Sequence, residues 1–153
     1  MALLKDGKLI ENSYTDVSQD SIVPVIGAVI VSLAQWQAHR ASLEVRTDPL
    51  GIRLGSDEKA ETIASDLEHF DLIALEFPVF RDGRAYSTAR LLRERYGYTG
   101  ELRAVGDVLL EQLHFMNRVG FNSFDIRSSD AIRDWEIAAA DMTPTPATIS
   151  PTT

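Results

Sequence analysis

DLIALEF (71–77), RAYSTARLLRERY (84–96) and ELRAV (101–105) decide the fold, because they follow one another as a strand, a helix and a second strand. The first and third segments are short apolar runs typical of buried strands. The second places apolar side chains at helical spacing and is followed by the helix-stopping Gly97. A strand, a helix of this length and another strand form the unit that connects two parallel strands. The stretch therefore predicts an α/β fold with a mainly parallel sheet.

The same alternation of strands and helices continues on both sides of this unit. We expect strands at 24–31, 50–54 and 121–126, and helices at 33–43, 57–67, 108–119 and from 129 or 130 to about 140. Gly120 is expected to stop the helix at 108–119. These segments make about five βα units, which allow either an open doubly wound sheet or a partial barrel. Asp6-Gly7 between apolar pairs predicts an N-terminal hairpin. We expect residues 1–141 to form one domain and the Thr/Pro-rich residues 142–153 a disordered tail.

The composition excludes several classes of chemistry. The 153 residues include 15 Lys and Arg against 23 Asp and Glu, a net charge of −8, and no cysteine. Disulfides, cysteine-ligated metals and thiol catalysis are therefore excluded. The acidic balance disfavours nucleic-acid binding. Residues 1–14 lack a signal-peptide pattern, and the apolar run 22–33 is shorter than the roughly 20 residues that span a bilayer, so we expect a cytoplasmic protein without membrane contact.

No cofactor fingerprint appears in the sequence. It contains no G-x-G-x-x-G, no P-loop and no G-x-S-x-G. His39, His69 and His114 have no partners at metal-ligand spacing, so neither a cofactor nor a metal site is predicted. Trp36 and Trp135 lie on amphipathic helices and are interpreted as packing residues.

The loop after the 71–77 strand is the richest in candidate functional side chains. It carries Arg81, Asp82, Arg84 and Tyr86, and this architecture binds ligands at the carboxyl ends of its strands. The two arginines and the helix start offer donors suited to phosphate, sulfate or carboxylate. The alternative is a solvated turn in which Asp82 caps the helix and the arginines point into water.

Glu76 and Asp107 are the catalytic candidates. Each lies at the carboxyl end of a predicted strand, so both are expected near one edge of the sheet. Paired carboxylates can divide the roles of general acid and general base, or bind Mg²⁺. In the simpler alternative, Asp107 caps its helix and Glu76 pairs with an arginine such as Arg103.

The segment from Phe77 onward resembles a known family. The matching residues are Phe77-Pro78, Phe80, Asp82-Gly83-Arg84, Tyr86-Ser87, 89–95, Gly97-Tyr98, 100–104, 106–109, Gln112-Leu113 and Gly120-Phe121. In these residues the chain resembles the bacterial domain-of-unknown-function family numbered 934. Its members are described as probable oxidoreductases involved in sulfite reduction and are associated with sulfite reductase. The resemblance therefore implies a role in sulfur assimilation, but it assigns no catalytic residue.

Three hypotheses follow. In the first, the protein is an accessory component of assimilatory sulfite reduction that docks to sulfite reductase or its redox partner through the arginine-rich loop and helix, including Arg90. In the second, it is a small α/β enzyme in which Arg81, Arg84 and Arg103 bind an oxyanion such as sulfite, sulfate or a phosphate ester. In the third, it forms a homodimer that completes its sheet.

The charge of the chain is unevenly distributed along the sequence. Residues 81–103 contain six arginines against three acids, a local charge of +3 in a chain of −8. Part of this segment is expected to be a solvated helix face with pairs such as Arg90–Glu94. A small anion or an acidic protein partner is therefore compatible with the overall acidic balance.

Overall fold

A computed structural model of the chain describes residues 2–79 and 82–126. Its eight strands are β1 (Ala2–Lys5), β2 (Lys8–Ile10), β3 (Thr15–Asp16), β4 (Val29–Ser32), β5 (Leu50–Leu54), β6 (Leu72–Phe77), β7 (Glu101–Gly106) and β8 (Ser123–Ile126). They form one sheet in the order β2-β1-β8-β7-β6-β5-β4-β3. The sheet curls into a half-barrel.

Strands β3 to β8 run parallel to one another and lie in the sheet in the order of the chain. This order has no reversal, so the sheet lacks the switch point of a doubly wound fold. The mixed α/β class is confirmed, and its sheet has the form of a half-barrel. The N-terminal hairpin is also confirmed: β1 and β2 are antiparallel, and Asp6 and Gly7 both have positive φ.

The connections between the parallel strands carry short helices. They are α1 (Leu33–Ala38), α2 (Arg40–Leu43), a 3₁₀ helix (Ala60–His69), α3 (Arg84–Arg90), a π-helical turn (Leu91–Arg95), a second 3₁₀ helix (Leu110–Gln112) and α4 (Leu113–Val119). None of the helices in residues 2–79 and 82–126 has the length and apolar character that crossing a bilayer requires.

The main core lies between these helices and one face of the sheet. Strand residues on that face alternate with residues on the other, as Ile73, Leu75 and Phe77 do in β6. The helices contribute the buried side chains Trp36, Leu43, Ala60, Ile63, Ala85, Ala89, Leu92, Leu113, Met116 and Val119. Trp36 therefore packs as predicted. We call the opposite face, over which no described helix packs, the helix-free face; its small apolar cluster is Ile30, Leu72, Ala74 and Val105 with Tyr14.

The strand expected at 24–31 is wrong over its first half, since pairing with β5 begins only at Val29. Pro24 has no amide hydrogen, and Gly27 adopts a φ of +101°. The Arg46 guanidinium donates to the carbonyls of Pro24 and Gly27 at 2.6 and 2.5 Å. This segment is therefore held as a loop.

The two helices expected before β6 also differ from the structure. His39, with φ/ψ of −122°/26°, divides the helix expected at 33–43 into α1 and α2. The helix expected from residue 57 begins at Ala60 and is a 3₁₀ helix. The Glu58 carboxylate accepts a hydrogen bond from the Gly55 amide at 2.7 Å, and this closes a turn before the helix starts.

Several predictions fall outside the described residues. These are Arg81, Trp135, the helix expected from residue 129 or 130, and the tail expected at 142–153. The helix stops at Gly97 and Gly120 lie within the described part and are confirmed, since both glycines have positive φ where the preceding helix ends.

Gly106 determines how β6 and β7 end at the carboxyl edge of the sheet. It has a φ of +92°, and a Cβ at this position would collide with the Phe77 carbonyl oxygen. The same oxygen accepts a hydrogen bond from the Asp107 amide at 2.7 Å. Because only glycine fits here without strain, Gly106 determines where β6 and β7 end.

Replacing Gly106 by alanine should lower the free energy of unfolding by about 3 kcal/mol or more, since strain at positive φ adds to overlap with backbone. Gly97→Ala is the matched control: Gly97 also has positive φ (+66°), but its Cβ would meet open space, so a loss of about 1–2 kcal/mol is expected. Urea denaturation measures both losses. Equal losses would contradict the close approach of Gly106 to Phe77.

Candidate functional site

The carboxyl edge of the parallel strands brings together part of the predicted loop site. The loop after β6 contributes Asp82, the start of α3 contributes Arg84, and the loop after β5 contributes Ser56. Arg84 donates through Nη2 to Asp82 Oδ2 at 2.6 Å and to Ser56 Oγ at 2.9 Å. Its Nε lies 3.0 Å from Asp82 Oδ1. The Arg84 guanidinium therefore connects the loop after β6 to the loop after β5.

Asp82 is held as a carboxylate by this arrangement. Hydrogen bonds from the Arg84 side chain and then from the Arg84 amide lower the pKa of Asp82 to about 2. The amide contact, at 3.1 Å, places the Asp82 carboxylate over the start of α3. Arg84 is thus paired with Asp82, although the Arg84 side chain is exposed.

Glu76 is occupied in a different ion pair from the one suggested by the sequence. Its carboxylate accepts from Arg53 Nη2 at 2.7 Å and Nε at 3.3 Å, on the helix-free face. Arg53 Nη1 also donates to Asp16 at 2.9 Å. Burial tends to raise the pKa of Asp16, but hydrogen bonds from Ser18 and Arg53 outweigh burial and lower it.

Arg103 is a buried charge on the helix-free face. It donates to Glu101, Asn12 and Ser123 at 2.9, 3.2 and 3.3 Å, and its side chain is 4% exposed. Its guanidinium carbon lies 5.7 Å from the centre of the Tyr14 ring. With all three nitrogens engaged and almost no exposure, Arg103 stabilises the sheet and is poorly placed to receive a dissolved anion.

Tyr14 covers part of the same face. Burial, followed by the negative charges of Asp71 and Glu101, raises the pKa of Tyr14 to about 12. Glu101 also forms an ion pair with Lys5 at 3.2 Å. These contacts link acids and bases along the helix-free face.

The ion pairs of the helix-free face were not predicted, although the strand sequences carry a signal for a polar face. Arg53, Glu76, Glu101 and Arg103 all occupy alternate positions within otherwise apolar strands. Such alternation indicates a polar face. The register places Ala74 between Arg53 and Arg103, so the Cα atoms of the two arginines are about 10 Å apart across the sheet.

The other catalytic candidate, Asp107, is exposed directly after Gly106, at the carboxyl edge. Its backbone amide is bound to the Phe77 carbonyl. In residues 2–79 and 82–126, no three acidic or histidine side chains come together as metal ligands would. The catalytic roles of Glu76 and Asp107 remain predictions.

A second surface, on α3, the π-helical turn and α4, combines arginines with exposed apolar groups. We call Tyr86, Arg90, Leu91, Arg95 and Phe115 the arginine–aromatic patch; together with Ser87 and Glu94 they line an open groove of about 630 Å³. Leu91 and Phe115 are 40% and 43% exposed. Neither lies on the core-facing stripe of its helix, and this is the sequence signal by which they could have been found.

The patch rests on a rigid aromatic support. The Tyr86 and Phe115 rings meet edge to face with centroids 4.9 Å apart, and Tyr86 in turn contacts buried Phe77 at 5.2 Å. The side chains of a binding surface lose less conformational entropy on binding when they are already held in this way. Arg90 lies 4.0 Å from Glu94 in an exposed pair, which leaves its guanidinium accessible.

The arginines of 81–103 therefore have different roles. Arg93 donates to the carbonyls of Gly120, Tyr98 and Gly100 at 2.8–3.0 Å and joins the π-helical turn to two loops. Burial lowers the pKa of Arg93. Arg93 and Arg103 are structural and Arg84 is paired, whereas Arg90 and Arg95 belong to an exposed surface.

The fold and this surface define a half-barrel α/β protein with an exposed patch of arginine and apolar side chains. A family model described as a bacterial protein of unknown function (DUF934) matches residues 51–145. The match covers more than half of the chain, and the chain belongs to this family. Comparisons with curated proteins and with solved structures gave no match.

Asp82→Asn should destabilise the protein near pH 6, because the substitution removes the charge that Arg84 binds. A carboxylate with a lowered pKa stabilises the fold above its unfolded-state pKa and loses that effect as the pH falls through its folded-state pKa. The difference in Tm between wild type and variant should therefore shrink between about pH 4 and pH 2. Asp20→Asn, at an exposed loop position, is the control. A difference that stays constant over this range would contradict the assigned pairing.

Proposed function

We propose that the protein is an accessory component of assimilatory sulfite reduction that binds an acidic surface of sulfite reductase, or of the redox protein that serves it. The observation that carries the proposal is the arginine–aromatic patch. Membership of the DUF934 family, whose members were associated above with sulfite reduction, supports the choice of process.

The composition of the patch suits protein recognition. Tyrosine, other aromatic residues and arginine are enriched at the centres of interfaces, where they supply much of the binding energy. Leu91 and Phe115 would lose their exposed apolar area on contact. Arg90 and Arg95 would meet acidic groups of the partner, so charge attraction would also speed association.

The oxyanion-enzyme hypothesis has less support in this geometry. Arg84 is bound to Asp82 at the carboxyl edge, whereas Arg103 is buried among partners on the helix-free face. The two guanidinium groups are therefore directed to different partners in different parts of the sheet. A role for Arg81, outside the described residues, stays a prediction.

The proposal is tested by binding of the full chain to purified assimilatory sulfite reductase at low and high salt. Arg90→Glu should weaken the complex at least about tenfold at low salt, and this effect should diminish as salt screens the charges. Leu91→Ser and Phe115→Ser should weaken it at both salt concentrations, because apolar contact is little affected by screening.

Matched controls come from the N-terminal hairpin. Lys8→Glu makes the same change of charge as Arg90→Glu, and Leu9 is as exposed as Phe115, so Leu9→Ser matches the apolar substitutions. Neither control should change the affinity by more than about twofold. The absence of a complex at low salt with both proteins folded, or equal effects of the patch and hairpin variants, would contradict the proposal.

A further inference from the structure

The groove of the arginine–aromatic patch is small and concave. Seven of the described residues line it, and its volume is about 630 Å³. A contact between two folded protein faces uses roughly 20–30 residues from each partner. The groove lies instead in the range of roughly 300–1,000 Å³ that encloses a small ligand or a few side chains. Its size therefore fits a short protruding segment of a partner better than a broad surface.

The π-helical turn places two arginines at this one groove. The Tyr96 amide donates to the Leu91 carbonyl at 3.0 Å, five residues earlier, whereas an α-helix bonds to the residue four earlier. Residues five apart on an α-helix point in directions about 140° apart around its axis. The wider π-helical turn reduces this angle, and Arg90 and Arg95 both line the groove. Such turns occur frequently at functional sites.

The ionisable groups of the groove favour an anionic occupant. They are Arg90, Arg95, Glu94 and the Tyr86 phenol. Glu94 lies 4.0 Å from Arg90, and both side chains are more than half exposed, so this pair contributes little and opens readily. Within the described part of the chain, Arg95 forms no ion pair; its guanidinium carbon lies 5.8 Å from the centre of the Tyr96 ring. The groove therefore has an excess of positive charge.

The same groove favours an apolar group on its occupant. Leu91 and Phe115 are exposed, and the Tyr86 ring packs edge to face against Phe115. A ligand with carboxylates alone would leave this apolar area in water, whereas an apolar side chain would remove it from water. Because cationic and apolar groups line one groove, the occupant that fits it best carries both a carboxylate and an apolar side chain.

We propose that this groove binds a short acidic segment of a partner protein, in which one aromatic or branched apolar side chain is flanked by carboxylates. The apolar side chain packs among Tyr86, Leu91 and Phe115. The carboxylates pair with Arg90 and Arg95, whose guanidinium groups bind a carboxylate through two parallel hydrogen bonds. The inference rests on the proposed function for the identity of the partner, whereas the binding chemistry of the groove can be tested alone.

Single-stranded nucleic acid is another ligand that arginines and aromatic rings bind together. Its binding depends on neutralising several phosphates, and the groove offers two arginines in a chain of net charge −8 that repels a polyanion. Leu91, at the centre of the patch sequence, has no ring on which a base could stack. An acidic segment with an apolar side chain uses both the arginines and Leu91.

Titration of the ¹⁵N-labelled full chain with synthetic peptides, followed by NMR at about 0.15 M salt, tests the proposal without the reductase. The peptide Glu-Asp-Phe-Asp-Glu with blocked ends, the anchor peptide, should bind with a Kd of about 10–300 µM. It should shift the amide signals of 84–95 and 113–119. Replacing its Phe by Ser, or its four acids by their amides, should weaken binding at least about tenfold, since each change removes one kind of contact.

Variants of the chain separate the contributions of the charged groups. Arg90→Glu and Arg95→Glu should each raise the Kd of the anchor peptide at least about fivefold. Glu94→Gln should lower the Kd about twofold, because it removes the acid that competes for Arg90; damage to the helix would not tighten binding. Lys8→Glu makes the same change of charge outside the groove and should leave the Kd within about twofold.

The proposal is overturned if the anchor peptide does not bind at about 1 mM, or if its signals shift only outside the groove. It also fails if the serine or amide peptide binds equally well. Tighter binding of single-stranded octathymidine than of the anchor peptide would assign the groove to nucleic acid instead.

The peptide titration and the reductase experiment can fail separately. Peptide binding without a reductase complex would reject the proposed function and keep the short acidic segment as the ligand of the groove. A reductase complex that Arg90→Glu weakens, without any peptide binding, would reject the short segment and keep the docking.

Discussion

Strands β3 to β8 lie in the sheet in the same order as in the chain, and the two faces of the sheet differ because of this constraint. Each connection between two parallel strands leads to the neighbouring strand of the sheet. The described helices therefore all pack on the same face. The other face has to be covered by its own side chains. Charges buried there need partners, because an unpaired buried charge is strongly destabilising. Arg53 and Arg103 therefore lie among Asp16, Glu76 and Glu101.

The cationic residues divide into structural ones and ones that remain accessible. Arg53 and Arg103 neutralise acids on the helix-free face, and Arg93 holds loop carbonyls. Only part of the positive charge in 81–103 thus remains accessible to a partner. Arg90 and Arg95 are accessible because they lie on the outer side of the helical layer, next to Leu91 and Phe115.

Local patterns in the sequence predict the centre of the fold well. The strand, helix and strand of 71–106, the hairpin at Asp6-Gly7 and the stop at Gly120 all depend on short-range chemistry. The segment 24–31 was mispredicted because contacts with Arg46, distant in sequence, hold Pro24 and Gly27 in a loop. Apolar composition alone does not reveal such contacts.

The candidate site was predictable only in part for the same reason. Asp82 and Arg84 are neighbours in sequence, so their involvement in one loop could be anticipated. The pairing of Glu76 with Arg53, 23 residues away, depends on strand order and register. Leu91 and Phe115 come from different helices, and only the packing of α3 beside α4 brings them into one groove.

The central claim, that the arginine–aromatic patch binds sulfite reductase, is tested most directly by hydrogen–deuterium exchange of the full chain with and without the reductase. The account predicts slower amide exchange in 84–95 and 113–119 of the complex, and no change in the hairpin at 2–10. Protection confined to other segments, or unchanged exchange throughout under conditions where the complex forms, would contradict it.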